Sequence, residues 1–212
     1  MLARRVLNLI TEATGTTGSR LTIDGLIRST HKYGQWKLRH MKDAHPTVPP
    51  PTADLAITKI TAGLGVRTLT FSASIKSMSD PSGAYHMVIQ FQRVQFSEVP
   101  QPGWPEVIVK TDKGENRTVY VSPGTLDTPV AVRCTCPNFA FTFWYPLKKY
   151  KAAYLSGMPK QLSKWLRELK SGKRQRKRKP VNPEEIPGVC KHLMSFFIAL
   201  RDLGYLKAQK LW

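Results

Sequence analysis

The stretch Val130-Ala131-Val132-Arg133-Cys134-Thr135-Cys136-Pro137 places two cysteines at the end of an apolar run. A second pair, Cys190-Lys191-His192, follows after residues 137–189, and the two pairs contain all three cysteines of the chain. Three thiolates and one imidazole suit Zn²⁺, which prefers four tetrahedral nitrogen and sulfur ligands. We therefore predict a closed, structural zinc site formed by Cys134, Cys136, Cys190 and His192.

Two other interpretations of these four residues stay open at this point. Buried cysteines beside a core histidine could fall in the same order without binding a metal. A catalytic Cys/His pair is the second alternative. It is disfavoured because Cys190 and His192 are two residues apart on a predicted helix and point to different faces.

Alternating apolar residues predict an antiparallel sheet in the middle of the chain. Residues 69–75 and 85–91 alternate with a period of two, and Asp80-Pro81-Ser82-Gly83 supplies turn chemistry between them. Shorter strands are predicted at 107–110, 118–121 and 130–134, with a second hairpin loop at 113–116.

Helical spacing returns on both sides of this region. Apolar residues at i, i+3, i+4 and i+7 predict helices over 162–169 and 189–203, the second ending at Gly204, and a short helix over 2–13. The fold class we expect is α+β, a small antiparallel sheet joined by zinc to C-terminal helices, with an N-terminal helical arm. The predicted divisions are the arm with its Pro-rich spacer (1–52), the β region (53–136), an aromatic and basic insertion (137–189) and the zinc-closing helix (190–212).

The order Cys-x-Cys and then Cys-x-His resembles the SWIM-type zinc finger, and the flanking strand and helix extend the resemblance over residues 130–203. The resemblance implies that Cys134, Cys136, Cys190 and His192 bind zinc, in a module for DNA binding or protein interaction. The gap between the pairs is longer here than is usual in that family. Lengthening such a loop costs about 1 kcal/mol, against about 10 kcal/mol from structural zinc. The surrounding segments also look like SWIM-like proteins of tailed bacteriophages.

Positive charge dominates the chain, with 33 Lys and Arg against 14 Asp and Glu, a net charge of +19 and a pI near 10.1. Residues 148–179 hold nine lysines and four arginines against one acid. Such a balance favours anionic partners. The cationic run, which we predict to bind nucleic acid or an acidic partner, consists of Lys173, Arg174, Arg176, Lys177, Arg178 and Lys179.

Two aromatic regions lie near basic residues, and each has two interpretations. Phe139, Phe141 and Phe143 could stack on bases, although packing is the favoured use. The segment 33–40, which contains Tyr33 and Trp36, could contact phosphates or form a packed surface turn.

The function we predict is that of a non-enzymatic, zinc-stabilised structural or assembly protein, a component of a bacteriophage capsid, neck or tail. It would contact other subunits through the arm and the basic insertion. The alternative is a DNA- or RNA-binding protein that uses the SWIM-like module and the same insertion. An enzyme is disfavoured because the sequence shows neither a paired-carboxylate motif nor a Gly-rich phosphate loop.

The same patterns give expectations about location and partners. The first ten residues do not predict a signal peptide, and the longest apolar stretch, 193–200, is far shorter than a membrane span. An odd number of cysteines also argues against a secreted disulfide scaffold. We expect the protein in the virion or the host cytoplasm, with neither a membrane partner nor a small-molecule substrate.

Overall fold

The computed structural model describes residues 19–40, 57–65, 67–76, 83–110, 115–154, 159–173, 181–208 and 211. The predicted N-terminal helix over 2–13 and the Pro-rich spacer lie outside these residues. So do residues 174 and 176–179, which form most of the cationic run.

Helices and strands follow one another in an α+β arrangement, as predicted. In chain order the elements are α1 (Ile23–His40), β1 (Ile57–Gly65), β2 (Thr68–Lys76), β3 (Ala84–Gln92), β4 (Phe96–Ser97), β5 (Glu106–Lys110), β6 (Asn116–Val121), β7 (Val130–Cys134), a π-helical segment (Phe139–Phe143), α2 (Trp144–Lys149), α3 (Lys160–Lys170) and α4 (Lys191–Asp202).

The larger sheet has four antiparallel strands in the order β1-β2-β3-β7. The alternation that predicted β2 and β3 is visible in their packing, since Phe71 lies opposite Ile89 and both are buried. The predicted hairpin is therefore confirmed in its pairing. At the other end of the sheet Met87 lies opposite Cys134, so β3 fixes the position of the first cysteine.

A second antiparallel sheet has three strands in the order β4-β6-β5. The predicted strands at 107–110 and 118–121 form its β5 and β6, which pair as a hairpin. The sequence predicted one small sheet, whereas the described residues form two. The sheets meet where β5 contacts β1, and Val107 and Val109 of β5 are buried.

Helix α1 corrects the interpretation of residues 33–40, which are not a surface turn but the C-terminal half of an 18-residue helix. Its buried residues, Ile23, Leu26, Thr30 and Tyr33, recur at helical spacing. Two glycines at positions 25 and 34 lower helix propensity and obscure this stripe in the sequence.

Helix α4 confirms the predicted C-terminal helix and supplies much of the core. Leu193, Phe196 and Phe197 are almost completely buried, and Gly204 follows the helix with a φ of 82°, which glycine adopts without strain. Phe139 and Phe143 of the π-helical segment are also buried, so their role in the structure is packing. Among the described residues, no helix combines the length and the apolar character needed to span a bilayer.

Candidate metal centre

The first pair of cysteines lies where β7 ends. Cys134 is the last residue of that strand, and the turn after it is held to β3 by His86. The backbone N–H of Thr135 donates to the His86 carbonyl oxygen at 3.0 Å, and the His86 N–H donates to the Thr135 hydroxyl at 2.9 Å. Pro137 prevents further pairing, so the chain leaves the sheet and Cys136 turns into the interior.

The second pair lies at the start of α4. Cys190 has an extended backbone and precedes the helix, while His192 lies in its first turn. The approach to this turn is fixed by α1, because the Val189 N–H donates to the Thr30 hydroxyl at 3.1 Å. Helix N–H groups and the positive end of the helix dipole favour anionic sulfur at such a position.

These local arrangements bring the four predicted ligands into one buried cluster, here called the Cys3His group: Cys134, Cys136, Cys190 and His192. Their ligand atoms all lie within 4.8 Å of one another. The Cys134 Sγ and the His192 Nδ1 are 3.9 Å apart. In a tetrahedral zinc site with Zn–S bonds of about 2.3 Å, ligand atoms lie about 3.8 Å apart. The group could therefore hold a metal ion after small side-chain movements.

The electrostatics of the Cys3His group favour a cation. Burial raises the pKa of the Cys134 and Cys190 thiols, which penalises their charged forms. Hydrogen bonds from Cys134 and Cys190 lower the pKa of the Cys136 thiol well below its usual range. One sulfur can thus be anionic while its two neighbours keep their protons. A bound divalent ion would replace those protons and allow all three sulfurs to be thiolates.

Backbone amides add to this preference for anionic sulfur. The Cys136 N–H donates to the Cys134 Sγ at 3.4 Å, and the Phe139 N–H donates to the Cys136 Sγ at 3.3 Å. Donors that point at ligand atoms orient them and stabilise their charge. The ring of Tyr85 lies against that of His192, with 4.9 Å between centroids, and limits the movement of the imidazole.

Sequence reasoning missed the residues that support this group from a distance. Gln161 of α3 donates from its Nε2 to the Thr135 carbonyl oxygen, and Thr30 of α1 holds the loop before Cys190. Asn182 is buried and bonds to the backbone of Thr142 and Ile186. A lone Gln, Thr or Asn carries no pattern, so only the fold identifies these contacts.

The cationic run is only partly described. Lys173 lies just beyond α3 and is exposed, and residues 174 and 176–179 fall outside the described residues. Their predicted binding role stays a prediction. The run ends shortly before Val181, whose carbonyl oxygen accepts a hydrogen bond from Tyr33 of α1 at 3.3 Å.

Gly188 gives a test of the packing beside the Cys3His group. A Cβ at this position would lie 2.8 Å from Cε1 of the buried Phe143 ring and 3.3 Å from the Thr30 hydroxyl. We expect Gly188→Ala to lower the free energy of unfolding by about 1–2 kcal/mol, measured as a denaturant midpoint with an unchanged slope. Gly63→Ala is the control, since no atom lies within 4 Å of its added Cβ. Equal stabilities for the two variants would contradict the tight packing.

Comparisons with models of protein families, with curated proteins and with solved structures find no match to this chain. A Cys3His cluster does not by itself identify a SWIM-type zinc finger. The function is therefore inferred from the geometry and chemistry of the described residues.

Proposed function

We propose that the Cys3His group binds one zinc ion and that the metal has a structural role. The observation that carries this proposal is the burial of all four ligands, with their donor atoms within 4.8 Å of one another. Sulfur and imidazole donors select zinc over magnesium or calcium, which prefer oxygen. Four protein ligands complete a tetrahedral shell and leave no open position for a substrate, as is typical of structural zinc.

The consequence of this site is a link between distant parts of the chain. Zinc would join the end of β7 to the start of α4, so that the sheet and the main core helix share one fixed point. The SWIM-type resemblance is part of the same proposal and rests on the order of the four ligands.

On this basis the protein acts as a non-enzymatic structural or assembly protein, and a bacteriophage virion is the setting we propose. Its partners are other protein subunits, contacted through the N-terminal arm and the basic insertion. Exposed apolar side chains near the smaller sheet support a role in protein contacts. Val99 and Ile108 are each 61% exposed, and Phe96 is 37% exposed. An exposed apolar side chain gains free energy when another protein covers it.

Assembly is tested by the mass of the purified chain in solution across a concentration series. We expect wild-type protein to self-associate and Ile108→Lys to shift the equilibrium toward monomer, because a charge at the outward face of β5 opposes burial. Leu203→Lys is the matched control, since Leu203 is 53% exposed and lies after α4 instead of on the smaller sheet. A wild-type chain that stays monomeric at every concentration would count against self-assembly.

A second candidate function, DNA or RNA binding, is favoured by one specific observation. Helix α3 and the residue positions just after it carry five cations that are all exposed, Lys160, Lys164, Arg167, Lys170 and Lys173. An assembly protein of a virion could also use such a surface on packaged nucleic acid.

A further inference from the structure

Helix α3 is a cationic helix whose charges oppose its own folding. Its exposed cations at positions 160, 164, 167 and 170 follow one another at intervals of three or four residues, which places each next to another of the same sign. The first turn contains Lys160 and no acidic residue, although the helix dipole favours negative charge there. None of the residues of α3 is fully buried, so packing against the body of the protein compensates only in part.

An external anion would relieve this conflict between local charge and local structure. Sequences that violate local rules without a gain in packing do so at functional surfaces more often than elsewhere. A groove of about 730 Å³ runs along this face of α3 and is lined by Lys160, Ser163, Lys164, Arg167, Glu168, Ser171 and Lys173. Glu168 is the one acid among the described residues of that lining.

We propose that this face of α3 binds the phosphate backbone of duplex DNA, with Lys160, Lys164 and Arg167 as the contacting residues. The inference rests on the second candidate function and not on the assembly role. It names a binding surface formed by Lys160, Lys164 and Arg167, none of which belongs to the cationic run at 173–179.

The spacing of the charges fits a linear polyanion. A helix rises 1.5 Å per residue, so cations three or four residues apart follow one another at about 4.5–6 Å along the axis. DNA presents phosphates in a regular row and gains affinity from each one that a Lys or Arg neutralises. A compact anion would be matched by one or two of these cations and would leave the rest of the row unused.

The orientation of α3 argues against a membrane surface as the partner. A helix that lies on a bilayer inserts an exposed apolar face between the lipids. Here the apolar side is turned toward the body of the protein. Trp165 meets the ring of Phe141 edge-on at 6.4 Å, Leu162 packs against the core, and Gln161 bonds to the turn between the cysteines. The most exposed positions of α3 are Lys160, Lys164, Arg167 and Lys170, so the exposed side of the helix is cationic.

The test is the affinity of the purified, nuclease-treated protein for a labelled 20-base-pair duplex, measured by fluorescence anisotropy across a salt series. We expect Lys160→Gln/Lys164→Gln/Arg167→Gln to weaken binding about tenfold or more. The slope of log K against log salt should become shallower by about 2.7, from about 0.9 for each lost phosphate contact. Circular dichroism and metal content show that each variant keeps its fold.

The matched control neutralises three exposed cations at the other end of the larger sheet, through Arg67→Gln/Arg93→Gln/Lys207→Gln. Arg67 and Arg93 lie close together because the Val94 N–H donates to the Arg67 carbonyl oxygen. They are remote from Cys134, which pairs with the opposite end of β3. This variant loses the same charge, so we expect it to keep most of the wild-type affinity and slope.

A single substitution separates binding from helix stability. Lys160→Glu puts an acid in the first turn and forms a favourable pair with Lys164, so it should stabilise α3 while it weakens DNA binding. If Lys160 had only a structural role, helix stability and affinity for the duplex would both rise or both fall.

Three results would overturn the proposal, and they differ in which other proposed function they rule out. Wild-type protein that does not bind the duplex at physiological salt would remove duplex DNA from the second candidate function as well. If the α3 variant and the control variant both bound the duplex as strongly as the wild type, only the α3 surface would be ruled out. Tighter binding to phosphatidylserine vesicles than to the duplex would replace DNA with a membrane as the partner.

Discussion

Cys190→Ser is expected to abolish stable metal binding and to lower the free energy of unfolding by most of the metal's contribution, about 10 kcal/mol for structural zinc. That loss equals or exceeds the total stability of most domains, so the variant should be largely unfolded at 37 °C. The reason is geometric. Cys190 is one of the four buried residues of the Cys3His group, and through the proposed metal it would attach the start of α4 to the end of β7.

The measurement combines metal analysis with thermal unfolding. Freshly prepared, reduced wild-type protein should contain one equivalent of zinc, and a chelator should lower its Tm. The Tm of Cys190→Ser should not respond to the chelator, because its metal is already lost. Met194→Leu is the control, a volume-conserving change at a buried position of the same helix that should cost less than about 1.5 kcal/mol. The metal site would be refuted if the wild-type protein contained no metal and its Tm did not change when the chelator was added.

The members of the Cys3His group could be predicted because their chemistry is specified locally. Each pair lies where Pro or Gly interrupts regular secondary structure: Cys134 and Cys136 precede Pro137, and Cys190 follows Gly188. Residue type alone restricts what such pairs can bind. The strands β2 and β3 were predicted for a similar reason, since one buried face imposes a period of two that the sequence must display.

Elements without such a local signature were missed. Strand β1 reads Ile-Thr-Lys-Ile-Thr-Ala-Gly-Leu-Gly, where two glycines weaken strand propensity, and its pairing shifts register between Thr58 and Thr61. Helix α1 contains two glycines and a mostly polar surface. It is stabilised by distant contacts, such as the ring of Tyr33 against Phe143 at 5.0 Å. Tertiary packing stabilises β1 and α1, and the sequence pattern alone does not reveal that packing.

The polar contacts that support the Cys3His group are even harder to predict from the sequence pattern than these elements. A hydrogen bond between Gln161 and the Thr135 carbonyl oxygen joins residues on different elements, and neither residue type implies the other. Asn182 is a second example. Its buried side chain makes three hydrogen bonds, which order the loop that leads from the cationic run to Cys190. That loop should therefore be sensitive to a single amide.

Asn182→Ala is expected to lower the free energy of unfolding by about 2–4 kcal/mol. The Asn182 Nδ2 donates to the carbonyl oxygens of Thr142 at 3.1 Å and Ile186 at 2.7 Å. Its Oδ1 accepts from the Ile186 N–H at 3.1 Å. Alanine would leave these buried backbone groups without their partner, at about 1–3 kcal/mol for each group that water does not reach. Denaturant unfolding of the metal-loaded protein measures the loss.

Asn182→Asp shows whether the donated bonds or the shape of the side chain matter. A carboxylate keeps the acceptor for Ile186 but presents negative oxygen to two carbonyls, which favours the protonated acid in the folded state. The folded-state pKa should then lie above the unfolded value of about 3.9, so the folded state binds more protons and the variant loses stability as pH rises through that interval. Asn182→Ala adds no titrating group, and its deficit relative to wild type should not change there. If both substitutions left stability unchanged at neutral pH, the loop before Cys190 would be held by the metal and by Thr30, without help from this amide.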